Sequence, residues 1–412
     1  MIRFIHTADI HFGMENYGRI DAKTGIHTRL LDFEKALNSC IDYTIDHAFD
    51  FFLFSGDAYK TINPSPTQQR LLMRCFLRLY KAGIPIIIVV GNHDNPLSFG
   101  KATTLDIFGE LPVQGFHVFS KPSWQLLQTK SGPVQIVGIP WPSRSNIAMN
   151  SSHAFKSNTA LTDYISQSVE TIIKKLAQKL DPAIPSVLAA HITVSTGIFS
   201  GSEKRAIYGT DPILLPSQLA IEPFDYVALG HLHRYQNLNP DGYPAIIYSG
   251  SIERIDFGER KEEKGFCAVT IKEKGITEHK FIKTPMRPFL QLEVHLKPNL
   301  DQTYQLIEAI QQHDITDAII KIIYYVPAQT KDTVDLQKVI QSCNAALHVV
   351  SITPVRALEV REKRALINNN ADFESIISHY FSSKTDYKDK KELLTRKATE
   401  LYAQIYEEQE QE

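Results

Sequence analysis

Two rhythms of apolar and polar positions run along this chain. Short, near-continuous apolar runs at residues 2–7, 51–54, 86–90, 187–190 and 226–229 read as strands covered on both faces. Residues 30–43 and 67–80 carry apolar positions at helical spacing between the first three runs, and residues 160–180 form a longer helical candidate. Strands at 118–127 and 134–139 are expected between them. Residues 245–248, 265–271 and 277–282 are β-rich, and Glu273-Lys274-Gly275 marks a hairpin turn. Alternation of this kind predicts an α/β layered domain over residues 1–284.

A Pro-punctuated stretch, Thr284-Pro285-Met286-Arg287-Pro288, ends that domain. Beyond it, residues 290–296, 318–326 and 347–354 read as strands and 301–312 and 333–342 as helices. Together they make a small α+β unit over 285–360. A polar linker, 361–371, follows and contains Asn368-Asn369-Asn370. In 372–412, Phe373, Ile376, Ile377, Tyr380 and Phe381 share one face of a helix, and Leu394, Ala398, Leu401 and Ile405 mark a second. Residues 407–412 form a short acidic end.

Composition narrows the class. The 412 residues hold 43% hydrophobic and 22% charged positions, ordinary for a globular protein with more than one domain. No apolar stretch approaches the roughly 18 residues of a membrane span, and the start shows no charged segment leading into an apolar one. Neither secretion nor a membrane anchor is implied, and a cytoplasmic, nucleoid-associated location is expected. Cys40, Cys75, Cys267 and Cys343 lack metal or disulfide spacing and read as buried thiols. A net charge of −2 argues against strong nucleic-acid binding by this chain alone.

The chemistry lies just after the apolar runs. Asp9-Ile10-His11, Gly56-Asp57, Gly91-Asn92-His93-Asp94, His191 and Gly230-His231-Leu232-His233 occur in that order, closed by Tyr248-Ser249-Gly250-Ser251. In an open sheet, loops beyond the strand ends form the crevice, so these distant residues can meet there. Carboxylates, an amide and imidazoles on one rim are what a two-metal phosphoesterase site requires. Alone, each motif is weak: Gly-Asp is a common turn, and a lone histidine such as His6 or His295 is usually structural. The joint order is specific. An oxygen and nitrogen donor set without thiolate suits manganese, iron or zinc.

These motifs resemble the calcineurin-like metallophosphoesterases, and within them the SbcD family of double-strand-break-repair nucleases, over most of the chain. The resemblance implies a four-layer αββα sandwich with a small α+β capping domain over residues 285–360 and C-terminal helices. It implies two divalent ions, with manganese favoured. Asp9, His11, Asp57 and His233 would hold one, and Asp57, Asn92, His191 and His231 the other, with Asp57 bridging. His93 would act on the phosphate or the leaving oxygen, and Asp94 would orient His93 or, more simply, cap a turn. The activity implied is exonuclease and endonuclease hydrolysis of DNA in repair, recombination and replication. The expected partners are DNA and an SbcC-type coiled-coil ATPase gripped by residues 372–412, in a heterotetramer containing a dimer of this chain. Where such nucleases often carry His or Asp three residues after the bridging aspartate, this chain has Lys60.

Arg19, Lys23, His27 and Arg29 crowd the loop after the first ligand pair, and Lys204, Arg205 and Arg254 fall near later motifs. They could form a phosphate-contacting rim or a solvated charged face. No nucleotide-binding loop is present: around Gly100-Lys101, Asn95 stands where a glycine is needed and Ala102 where Ser or Thr is. Two other functions fit the same core. A small-molecule phosphodiesterase or phosphatase would not need residues 285–412, and a catalytically dead adaptor would have lost a ligand.

Overall fold

Why the motifs converge is visible in how each strand divides its side chains. The structure is a computed structural model describing residues 1–96, 101–111, 113–143, 157–201, 211–328, 330–356, 373–382 and 390–409. The first sheet contains β1 (Ile2–Thr7), β2 (Phe51–Phe54), β3 (Ile86–Val89) and β4 (Phe116–Phe119), all parallel. The hairpin β11 (Gly265–Glu273) and β12 (Ile276–Lys283) extends it antiparallel beside β1. The second sheet has the order β9 (Gln236–Asn237), β10 (Ala245–Tyr248), β8 (Tyr226–Gly230), β7 (Ser186–His191), β6 (Gly132–Ile139), β5 (Ser123–Thr129).

Alternate residues of these strands enter different cores. Phe4, Phe51, Leu53, Ile87 and Val89 pack with Val187, Ala189, Tyr226, Ala228 and Ile247 in one buried cluster, which lies between the sheets. Their neighbours Ile5, Phe52, Phe54, Ile86 and Ile88 pack in a second cluster with side chains of α1 (Thr28–Asp46) and α2 (Pro66–Lys81). Leu188, Ala190, Val227 and Leu229 pack likewise with the helix Asn158–Ala177. Both faces of each central strand are therefore apolar, which is why the sequence runs are continuous rather than alternating. The result is the expected α/β four-layer sandwich.

Local signals set the helix starts. Ser65 and Gln68 form a reciprocal capping box with Pro66 in the first turn of α2, and the His27 imidazole accepts from Arg29 N–H at the start of α1.

One element departs from the sequence reading. Residues 118–127 were expected as one strand, but β4 ends at Phe119 and β5 begins at Ser123. β4 pairs with β3 in the first sheet and β5 with β6 in the second, so the intervening Ser120-Lys121-Pro122 is where the chain changes sheets. Proline cannot donate to either ladder.

The chain divides into two compact units. One comprises Met1–Leu292, Ile310–Lys321 and Ile340–Ser351, and the other Glu293–Ala309, Ile322–Val339 and Ile352–Glu412. Phe289–His295, Ile319–Val326 and His348–Arg356 form a three-stranded sheet in that order. The helices Phe373–Ser382 and Lys391–Gln409 are neighbours of one another. The expected linker, 361–371, lies outside the described residues. Among the described residues no helix is long and apolar enough to cross a membrane.

Candidate metal centre

The strand ends deliver the motif residues into one buried cluster. Backbone bonds zip the first two loops together: Asp9 N–H donates to Gly56 O, His11 N–H to Asp57 O and Phe12 N–H to Ala58 O, at 2.9, 3.0 and 2.9 Å. His231 N–H donates to Asp9 Oδ1 at 3.0 Å, tying the fifth motif to the first. Four of the converging residues, Asp9, His11, Asp57 and His231, have positive φ (51°, 51°, 60° and 104°). That backbone region is uncommon for residues with a Cβ, and strain of this kind collects at functional sites. The loops approach so closely that a Cβ on Gly91 would lie 2.1 Å from Asp57 Oδ1, and one on Gly230 would lie 2.1 Å from Ser55 O. Only glycine fits at either position.

Three groups of side chains present metal-binding atoms within 4.8 Å of one another: Asp9, His11 and His233; His11, Asp57 and His93; and Asp57, His191 and His231. Asp57 Oδ2 lies 3.7 Å from His11 Nε2 and 3.4 Å from His191 Nε2, so one carboxylate faces both sides of the cluster. Asn92 Oδ1 lies 2.9 Å from His191 Nε2 and 3.0 Å from His231 Nδ1. His11 Nε2 and His233 Nε2 are 3.1 Å apart.

The donor chemistry fits cations. His191 places Nδ1 against Ser55 O at 2.7 Å, so this nitrogen carries a proton and Nε2 is the one open to a metal. Nε2 faces two acceptors, the Asn92 amide oxygen and the Asp57 carboxylate, so that a proton or a metal ion must sit between them. His233 repeats the arrangement, with Nδ1 on the Glu259 carboxylate at 2.9 Å and Nε2 turned to His11. Acceptors converging in this way need either shared protons or metal ions among them, and both histidines offer Nε2 to a metal. All seven residues singled out in the sequence, Asp9, His11, Asp57, Asn92, His191, His231 and His233, are brought together here.

Burial and neighbouring charge move the titrations apart. Burial would raise the Asp57 carboxyl, but the imidazoles of His191, His93 and His11 outweigh it and hold Asp57 well below the usual carboxylate range. Burial pushes Asp9 up to about 7 against the pull of His191 and His233. Burial disfavours the His191 cation, yet Asp57 and Asp9 raise it to about 9. Burial holds His11 well below the ordinary value, and it also lowers His231.

Without metal, Asp9 and His191 thus carry protons that the folded protein binds more tightly than the unfolded chain does. Raised groups stabilise below their ordinary values, and that contribution is lost as pH rises through about 7 for Asp9 and about 9 for His191. A cation held here would displace those protons. Each one displaced strengthens apparent metal affinity about tenfold per pH unit while the group is protonated. The increase in melting temperature caused by saturating manganese is therefore expected to grow from pH 6 to pH 9. Scanning calorimetry at several pH values checks it, and an increment that stays flat contradicts it.

His93 sits at the edge of the cluster, its side chain 42% exposed and its Nε2 4.0 Å from Asp57 Oδ2. Its backbone N–H donates to Asp57 Oδ1 at 2.9 Å, and its Nδ1 lies 2.7 Å from the carbonyl oxygen of Lys60. Of the two expected roles of Asp94, orienting His93 is overturned, and the backbone-capping one is nearer. The Asp94 carboxylate is fully buried and accepts from the backbone N–H groups of Asp57, Ala58, Tyr59 and Gly91. It holds the loop that carries Asp57, and the Lys60 carbonyl occupies the place beside His93 that Asp94 was expected to fill. Buried amides in need of acceptors outcompete one imidazole for the carboxylate. Asp94→Ala is accordingly expected to appear as lost metal rather than as a changed proton transfer.

The basic residues also sort differently from expectation. Arg29 is neither rim nor solvated: it is fully buried, donates to Asp32 and to Arg254 O, and lies over the Phe33 and Phe289 rings. Arg254 is likewise spent on the carbonyls of Arg287 and Glu262. His27 caps α1. Arg19, Lys23 and the Lys60 side chain are exposed, whereas Lys204 and Arg205 lie outside the described residues. His6 is structural, with its ring between Tyr226 Oη and Leu229 O, both at 3.2 Å, and burial lowers it to about 3. His295 stacks on Tyr325.

Several contributors escaped the sequence reading. Glu259 and Lys264 buttress His233, and Asp211 Oδ2 stands 3.3 Å from His231 Nε2. The Trp141 ring lies 4.8 Å from that of His231. The closing motif proves to be support: Ser251 N–H donates to His233 O at 3.0 Å, and Gly250, at φ 75°, passes where a Cβ would strike that same oxygen at 2.7 Å.

A two-sheet sandwich whose strand ends carry this aspartate, asparagine and histidine cluster defines a metal-dependent phosphoester hydrolase. The chain belongs to the calcineurin-like phosphoesterase family, whose sequence model matches residues 2–235, more than half of it. Among solved structures, it is similar to a dimetal phosphatase from Danio rerio, with a TM-score of 0.40 and 11% identity over 69% of this chain and 99% of that one. It is also similar to the protein TT1561 of Thermus thermophilus, with a TM-score of 0.36 and 12% identity over 68% of this chain and 99% of that one. Membership rests on the family match.

Proposed function

We propose that the chain is the nuclease subunit of an SbcCD-type complex, hydrolysing phosphodiester bonds in DNA with two divalent ions, manganese by preference. Asp9, His11, Asp57 and His233 would hold one ion, and Asp57, Asn92, His191 and His231 the other. The chemistry such a pair would supply is Lewis-acid polarisation of a phosphoester and activation of a water near neutral pH. The protein's own residues supply the rest. Asp57 joins the two sites, and Asp94 fixes the Asp57 loop. His93, exposed and oriented by the Lys60 carbonyl, is placed to donate a hydrogen bond or a proton to the phosphate or to the departing 3′ oxygen.

The observation that carries the DNA reading is the chain beyond the sandwich. A three-stranded α+β segment, proposed as a cap over residues 285–360, is followed by two helices that leave Tyr380, Leu393, Leu401 and Tyr402 between 42% and 57% exposed. A phosphatase for small esters needs neither. Exposed apolar positions on amphipathic helices suit docking onto a helical partner, here the coiled coil of an SbcC-type ATPase. The net charge of −2 and the inward use of Arg29 and Arg254 agree with a subunit that relies on a partner and on its own dimerisation for DNA affinity.

Incubating the protein with manganese and labelled duplex DNA, in parallel with bis-p-nitrophenyl phosphate, tests the substrate class. Cleavage of both is expected, and cleavage of the small ester alone would favour a small-molecule phosphodiesterase. Truncation after Asn370 is expected to leave a folded, manganese-dependent nuclease that no longer co-purifies with the ATPase subunit or responds to ATP. Undiminished co-purification would contradict this role for the helices.

A further inference from the structure

His233 enters the cluster through one nitrogen and meets a buried ion pair through the other. Glu259, delivered by the short 3-10 turn Phe257–Glu259, has no exposed surface, and Lys264 is 1% exposed. Glu259 Oε1 receives His233 Nδ1 at 2.9 Å, while Oε2 takes Lys264 Nζ at 2.9 Å and the Ile255 N–H at 2.9 Å. The Lys264 ammonium has three donors and three acceptors: Glu259 Oε2, Glu262 Oε2 at 3.1 Å and the backbone oxygen of His233 at 2.8 Å. The pair therefore grips His233 twice, by its ring through Glu259 and by its peptide through Lys264.

We infer that Glu259 and Lys264 are a positioning pair that locks His233 as the Nδ1–H tautomer and so presents its Nε2 lone pair to the cation shared with Asp9 and His11. A buried carboxylate and ammonium cost several kcal/mol each in desolvation unless they are fully paired, and an apolar pair of the same volume would serve packing as well. What an apolar pair could not do is fix the imidazole proton on the outer nitrogen. The other side of the centre rests on other groups, His191 on the neutral carbonyl Ser55 O and His231 beside the Asp211 carboxylate at 3.3 Å. Each ion would thus have its own support, and Glu259 acts on one of them.

The inference rests on the reading of His233 as a ligand, and the test separates the two. Glu259→Gln combined with Lys264→Met removes both charges at nearly constant volume. Manganese titration followed by electron paramagnetic resonance should show one of the two ions weakened by roughly 10–100-fold, the usual cost of losing a carboxylate behind a metal-bound imidazole, and the other unchanged. Glu259→Asp should recover part of the loss. The altered imidazole should also shift the visible absorption of the cobalt-substituted protein. In the unaltered metal-free protein, nitrogen-15 spectra of labelled histidines, assigned through His233→Asn, should show the His233 proton on Nδ1. A folded double variant that binds both ions normally, or an Nε2–H tautomer, overturns the inference; should the double variant fail to fold, the tautomer decides. If His233→Asn itself leaves both ions tightly bound, the ligand reading fails. If it releases one ion while the double variant does not, only the role of Glu259 fails.

Discussion

Asp57→Ala is expected to cost the protein bound metal and essentially all turnover. Asp57 Oδ2 lies within 3.7 Å of imidazoles on both sides of the cluster, and its Oδ1 also receives the His93 N–H. On the proposed reading, removing it deletes a shared ligand and leaves His11 and His191 without the charge that would balance two cations. Metal stabilisation of a phosphoryl transition state amounts to several kcal/mol, so the rate should fall by more than about 10³-fold. Inductively coupled plasma mass spectrometry should find less than the wild-type metal content. Two retained metals with normal turnover would sink the assignment.

His93→Gln should separate from that outcome. The His93 side chain is 42% exposed, stands 4.0 Å from the Asp57 carboxylate, and is steered by the Lys60 carbonyl. An imidazole held this way lines the approach to the cations. Metal content should survive while kcat drops by about 10²-fold or more, the scale of a lost general acid. The loss should be greatest with esters whose leaving groups are poor, because these most need a proton. An equal fall in metal content would make His93 a ligand or a support of the Asp57 loop instead.

Much of this site was legible because both faces of the central strands are buried. Runs such as Phe51–Phe54 stand out, and the polar residues after them are conspicuous for lying where the apolar pattern stops. What the sequence could not carry was the use of charged side chains by the backbone. Asp94 reads as a partner for its neighbour His93, yet three of the four amides it satisfies lie more than thirty positions away, on the Asp57 loop. Arg29 reads as a surface cation in a basic loop and is instead buried against Asp32 and two aromatic rings, because α1 begins there and turns it inward.

Glu259 and Lys264 were hidden for a related reason. Within Glu259-Arg260-Lys261-Glu262-Glu263-Lys264 every residue is charged, and such a run ordinarily lies on a solvated face. Only the fold shows that its first and last members point inward to His233. The break between β4 and β5 could have been found from Pro122, which suits the end of one strand better than the middle of a ten-residue one.

The account stands on two cations sharing Asp57. Crystals grown with manganese and measured at the manganese absorption edge test that directly. Two anomalous peaks are predicted, one among Asp9, His11 and His233 and one among Asn92, His191 and His231, with the Asp57 carboxylate bound to both. A single peak, or two peaks with Asp57 bound to neither, would contradict it.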